Sequence, residues 1–381
     1  MIASLHYHHP EVLSIPYIPS STRREENELL LLKENLPFVS ILLSFHKWLL
    51  SKVRREFFVF YLHCKNDFNI TIYPSVAFAL SCRVSALISM YLSPERGSFE
   101  GFASLSHSLL FLAMNFLSLI GFLIFAVFFV YPFTMSNQMD GVEEDRLNEK
   151  TYRPLVSGET SLEETKIRWA FACTIYLAMS ASHHLFWYGL VWTLAYVLHN
   201  HCGFAKNWFF KNLSNTIGVV CMIIPYWHIL NGFHDNDHTV KMMVYIIALT
   251  FLMTIDAQDF RDLEGDAMSG RVTLPILLGS YSRVVFLAKS IAAGVFYFVA
   301  MLKLCQWYSV RFEYEWIFRV YCLITPLQFI GMSIGFMMNG NLTSDSEKKR
   351  YYDDRIYKLL FTSWYGIQLL GLPIMHALVF Q

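Results

Sequence analysis

Nine apolar runs, most of them long enough as helices to cross about 30 Å of hydrocarbon, restrict this chain to one kind of architecture. They fall at 70–92, 104–133, 167–182, 184–199, 213–231, 240–257, 284–304, 316–338 and 357–379. Inside a bilayer the backbone must satisfy its own N–H and C=O groups, and single runs of this length do so as helices. The expected fold is therefore all-α, a polytopic membrane bundle of about nine transmembrane helices. The third and fourth runs are short and abut at Ala181-Ser182-His183-His184, which predicts a tight helical hairpin. Charged residues make up 16% of the chain and hydrophobic residues 55%. Soluble domains carry about 25% charged residues, so a string of them is excluded. The seven Cys include no Cys-x-x-Cys pair and lie mostly in apolar runs, so neither a disulfide framework nor a zinc site is expected.

Residues 1–35 are polar and lack the basic start, apolar core and small-residue cleavage site of a signal peptide, so they read as a cytosolic tail. Leu36–Leu50 is broken by His46-Lys47 and followed by Lys52, Arg54, Arg55 and the aromatic Phe57–Tyr61. That pattern predicts an interfacial amphipathic helix. Residues 1–68 then form a tail with this helix, and 69–381 the membrane domain. Lys and Arg concentrate in the tail and in alternate connections. By the positive-inside rule these are cytosolic.

Two acidic clusters close apolar runs on that same side. Asp140, Glu143, Glu144 and Asp145 crowd into about two helical turns after Phe133. Asp256, Asp259, Asp262, Glu264 and Asp266 follow the 240–257 run, with Asp259, Asp262 and Asp266 spaced to share one helix face. So many carboxylates at the mouths of membrane helices repel one another unless a cation neutralises them. Facing each other, the clusters would make an oxygen-lined site for Mg²⁺ and a phosphate ester. Arg153, Lys206, Lys211 and Arg271 are the cations that could assist a phosphate. Trp187, Tyr188, Trp192, Tyr226 and Trp227 could present aromatic faces to a carbocation. Arg83, deep in the first run, needs a partner or a wet cavity. His234–His238 looks metal-binding but falls on the opposite side, where a solvated turn is the simpler reading.

The chain resembles the UbiA-type intramembrane prenyltransferase superfamily, and within it the fungal branch of membrane-bound terpene cyclases, from about Asn69 to the C-terminus. The family's first motif, Asn-Asp-x-x-Asp-x-x-x-Asp followed by Arg-Pro-Leu, is matched by Asn137, Asp145 and Arg153-Pro154-Leu155. Gln138 and Gly141 stand where aspartates would be, with Asp140 one position early and Glu144 beside Asp145. The second motif, Asp-x-x-Asp-x-x-Gly-Asp, is matched by Asp259, Asp262, Gly265 and Asp266, and Gly270-Arg271-Val272-Thr273-Leu274-Pro275 continues it. Tyr196 matches the tyrosine of a Tyr-x-x-x-Lys pattern whose lysine is Asn200 here.

The resemblance implies Mg²⁺ held by Asn137, Asp140, Glu144, Asp145, Asp259, Asp262 and Asp266, with Asn137, Asp145, Asp262 and Asp266 central to catalysis. Arg153, Tyr196, Lys211 and Arg271 would bind the diphosphate. The expected function is cyclisation of a prenyl diphosphate, farnesyl diphosphate first, to a sesquiterpene. The competing reading is an aromatic prenyltransferase with a phenolic acceptor. A transporter, the alternative from another class, would favour acidic residues at the midplane and broken helices. The partners expected are the substrate and the lipid bilayer, with no nucleic acid and no obligate protein, in the endoplasmic reticulum with the site facing the cytosol. Asn69, Asn212 and Asn341 begin N-glycosylation sequons, and no glycan is expected on them in this orientation.

Overall fold

The computed structural model describes residues 37–92, 105–147, 150–232, 238–308, 312–342 and 346–380. The expected tail, most of the His234–His238 cluster and the Asn341 side chain lie outside the described residues. The chain divides into two compact units, Met1–Phe58 and Val59–Gln381. In the first, the described residues begin helix α1 (Pro37–Cys64), and Ile41, Phe45, Trp48 and Phe57 are all exposed. Phe45 stacks on Trp48 at 5.8 Å and the Lys52 ammonium sits over the Trp48 ring. Aromatic and basic side chains together are what a helix at a bilayer surface presents.

In the second unit every one of the nine apolar runs is helical. They form α2 (Ile72–Leu92), α3 (Leu105–Asp140), α4 (Leu162–Ser182), α5 (Phe186–Asn200), α6 (Trp208–Asn231), α7 (His238–Thr254), α8 (Ser282–Trp307) and α9 (Glu315–Leu342). A charged helix, α10 (Ser346–Ile356), precedes the last, α11 (Thr362–Met375). Among the described residues seven stretches are long and apolar enough to cross a membrane, carried by α2, α3, α6, α7, α8, α9 and α11. The protein is an integral, multi-pass membrane protein. The expectation of nine spans meets that measure only in these seven. Helix α5 has 15 residues, about 22 Å at 1.5 Å per residue, short of the hydrocarbon thickness. Helix α4 opens with Glu163, Glu164, Lys166 and Arg168 and is started by a Ser161–Glu164 capping box. The two make the expected hairpin, turning at His183-His184, where His184 takes φ 59°.

Consecutive helices pack side by side from α2 to α9, and α11 returns to pack against α2, closing a ring. Several polar groups buried between helices are paired. Tyr297 and Tyr321 both donate to Gln368 Oε1, at 2.5 and 2.7 Å, while Gln368 Nε2 and Trp364 Nε1 donate to Thr325. Such interhelical bonds join α8, α9 and α11 in the buried interior. Arg83 is satisfied in the same way, donating to Ser118 Oγ at 2.9 Å and to the Leu230 carbonyl.

One sequon is closed by packing. Asn212 is 0% exposed and its Nδ2, the atom a glycan would occupy, donates to Asp256 Oδ1 at 2.6 Å. Endoglycosidase treatment is expected to leave the protein's gel mobility unchanged. A sensitive shift mapped to Asn69 or Asn341 would invert the cytosolic orientation.

Candidate active site

The first motif begins on the last turn of α3, and Gly141 ends that helix. A short helix, Val142–Leu147, then carries Glu144 and Asp145. Pro154 holds the preceding residue extended (Arg153 φ −77°, ψ 134°), and the chain turns back there. Arg153 Nη1 consequently donates to Asp145 Oδ2 at 2.6 Å, and Lys150 Nζ lies 3.3 Å from Asp145 Oδ1.

The second motif follows α7 through a 3₁₀ turn, Ile255–Phe260, and a short helix, Leu263–Met268. Gly270, at φ 71°, supplies the left-handed residue that reverses the chain after that helix. Arg271 is thereby brought onto both motifs, with Nη1 3.3 Å from Asp266 Oδ1 and Nη2 2.8 Å from Glu144 Oε2. Backbone bonds between Val272 and the Lys206–Trp208 segment tie this loop to the start of α6. There Lys211 Nζ donates to Asp259 Oδ1 at 2.7 Å and lies 3.7 Å from Asp266 Oδ2.

These groups border a cavity of about 1240 Å³. Its lining takes Asn137, Glu144, Asp145, Asp262 and Asp266 from the two motifs, with Lys150, Arg153, Lys211 and Arg271. It is also lined by the aromatic Phe129, Phe133, Trp192, Phe251, Phe361 and Tyr365, and by further polar residues. Phe129 and Trp192 stack at 4.9 Å, and Trp192 Nε1 donates to the Phe129 carbonyl, which fixes the indole plane. A Cβ on Gly218 would come within 2.7 Å of the same indole, so only glycine lets Trp192 lie this close to α6.

Three expected site residues do not line this cavity. Asp140 is exposed and is held outside by the imidazole of the α5–α6 connection, sitting 2.5 Å from His201 Nδ1. Asp259 is fully buried as the partner of Lys211. Tyr196 is fully buried too, its hydroxyl 3.1 Å from Cys173 Sγ between α4 and α5. Lys206 is exposed outside the cavity wall. Of the five aromatic residues singled out as walls, only Trp192 lines it. Trp187 is 73% exposed, and Tyr226 and Trp227 are buried between helices.

The cavity also recruits residues that the motif patterns passed over. Asp67 enters from the turn after α1, where burial pushes its carboxyl up to about 6 against the pull of Arg153 and Arg261. Arg261 bridges Asp262 and Asp354 of α10 at 3.2 and 3.3 Å while stacking over Tyr357. His199 lies beside Phe133 on the wall. The signal for Asp67 was a carboxylate at the mouth of the first run; the others gave none. Gln138 turns away from the cavity. It accepts from His63 Nδ1 at 2.8 Å, and its Nε2 donates to the His63 carbonyl at 2.8 Å, joining the last turn of α1 to α3. An aspartate there could not make the second bond, so the loss of the family carboxylate coincides with a helix–helix contact.

The donor set suits a hard cation. Asn137, Glu144, Asp145, Asp262 and Asp266 offer only oxygen, and Asp266 Oδ2 is buried without a hydrogen-bond partner. Burial pushes the Glu144 carboxyl up, with Arg271 and Lys150 opposing. Among the described residues no three His, Cys, Asp or Glu side chains form a closed ligand cage. Mg²⁺ does not require one, since it commonly takes one or two carboxylates and completes its shell from phosphate and water.

A model of the UbiA prenyltransferase family matches residues 101–352. Somaliensene A/B synthase of Streptomyces somaliensis is 30% identical over 242 residues, which span 64% of this chain and 72% of that protein. Fumagillin beta-trans-bergamotene synthase af520 of Aspergillus fumigatus is 28% identical over 249 residues, 65% of this chain and 77% of that one. Polyprenyl transferase eriF of Hericium erinaceus is 28% identical over 165 residues, 42% of this chain and 56% of that one. A solved digeranylgeranylglyceryl phosphate synthase superposes with a TM-score of 0.50 at 16% identity, covering 83% of this chain and 98% of the other, a likeness of fold.

Proposed function

The chain belongs to the UbiA prenyltransferase family, and from that premise we propose that it is a Mg²⁺-dependent membrane terpene cyclase acting on farnesyl diphosphate. One observation carries the reading: residues of both acidic motifs, the cations paired with them and a set of aromatic side chains line one cavity. Relatives named as synthases support cyclisation as the outcome.

Asn137, Glu144, Asp145, Asp262 and Asp266 are the residues that would hold Mg²⁺. The bound ion would supply Lewis-acid neutralisation of the charge that grows on the leaving diphosphate. Lys150, Arg153, Lys211 and Arg271 would exchange part of their pairing with carboxylates for charge-assisted hydrogen bonds to phosphate oxygens. The carbon chain would lie along Phe129, Phe133, Trp192 and Phe251, whose faces favour a cation and whose packing excludes water. Enclosure holds the chain's own double bond beside the cationic carbon, so ring closure needs no second substrate. The site would face the cytosol from the endoplasmic reticulum membrane.

Membranes given farnesyl diphosphate and Mg²⁺ alone are expected to yield a cyclic hydrocarbon, with diphosphate released in equal amount. EDTA is expected to stop both and added Mg²⁺ to restore them. Activity that survives thorough chelation would remove the metal from the scheme. The polyprenyl transferase relative keeps a second reading open, prenyl transfer to a phenolic acceptor. Product that appears only when an aromatic acceptor is supplied would decide for it.

A further inference from the structure

His199 is 7% exposed, lines the cavity, and has a buried Nδ1 with no hydrogen-bond partner. A buried imidazole nitrogen without a partner is costly unless something else meets it. The residue lies on α5 seven positions after Trp192, about two turns along, so both side chains leave the same face of the helix. Its ring centroid is 6.2 Å from that of Phe133, which packs in turn on Trp192 at 5.3 Å. His199 therefore continues the aromatic wall. Burial, together with the positive charges of Lys211 and Arg271, keeps the imidazole neutral.

A cyclase that releases a hydrocarbon must end by removing a proton from its last carbocation. The carboxylates Glu144, Asp145, Asp262 and Asp266 are each held in an ion pair with Arg or Lys. His199 is a nitrogen base without such a pair, set against the aromatic wall.

Resting on the terpene-cyclase reading, we propose that His199 is the general base that terminates the reaction. An imidazole nitrogen takes a proton from a carbon adjacent to the final cationic centre. The electron pair of the broken C–H bond becomes the new C=C bond. The imidazolium, disfavoured by its surroundings, then gives the proton to the released diphosphate, and the neutral base is restored. No oxidant or further co-reactant is required.

The test compares wild type, His199→Phe and His199→Gln in membranes supplied with farnesyl diphosphate and Mg²⁺. Hydrocarbons and alcohols are identified by mass spectrometry and released diphosphate is counted. The phenylalanine preserves ring volume without a base, and the glutamine preserves polarity. Both variants are expected to lower wild-type hydrocarbon per diphosphate released by at least about tenfold, with isomeric olefins or a water-captured alcohol in its place. A merely structural role would change total turnover and leave that ratio alone. If either variant keeps the wild-type ratio and double-bond position, His199 is not the base. If wild type itself forms no hydrocarbon, the cyclase reading falls and this assignment falls with it.

Discussion

Asp262→Ala is expected to lower diphosphate release by at least roughly a hundredfold, the scale on which loss of a single charge-stabilising group at a reacting centre is felt. Asp262 is the cleaner of the two motif aspartates to test. Its side chain is 45% exposed, it pairs with Arg261, and Arg261 keeps Asp354 when Asp262 is gone. Removing it therefore costs the site a carboxylate without stranding a buried charge. Asp145→Ala is expected to lose as much activity and some stability as well. Asp145 is 2% exposed and holds both Arg153 and Lys150, which would be left without it. Release measured in membranes, with the amount of folded protein read by size exclusion, separates the two effects. Near-wild-type release by Asp262→Ala at normal protein level would sink the two-motif site.

Lys211→Met carries the largest expected effect on stability. Lys211 is almost enclosed and Asp259 fully so, and the pair spans 48 residues of sequence. Deleting one member of such a pair strands the other charge and costs about 3–5 kcal/mol, whereas replacing both is often close to neutral. The single variant should accumulate poorly. The double variant Lys211→Met with Asp259→Asn should recover a folded protein that remains deficient in diphosphate release, because the cation near Asp266 is still missing. Full activity in the recovered double variant would reduce Lys211 to a structural residue.

The two acidic motifs were legible because each combines carboxylates at a tight spacing with the end of an apolar run. Arg153 was legible as the arginine of the Arg-Pro-Leu that follows the first motif. Nothing local marked His199, Arg261 or Asp354. His199 stands in an ordinary apolar helix and Asp354 in a charged one, while Arg261 lies within the second motif between its aspartates. Aromatic abundance pointed to several walls at once, and the rotation of α5 and α6 selected Trp192 while leaving Trp187 at the surface and Tyr226 between helices.

The membrane helices, their order and the grouping of both acidic motifs with the basic residues follow from the sequence by itself. Hydrocarbon permits long apolar segments little but helix, and charge is expelled to the ends of those helices. Tertiary structure alone decided which carboxylates face the cavity and which serve as counter-ions. Asp259 and Asp266 belong to one motif, yet Asp259 is closed off by a lysine from α6 while Asp266 lines the cavity with one oxygen lacking a hydrogen bond. Such pairing depends on helix rotation and on contacts between residues far apart in the chain, which local spacing does not encode.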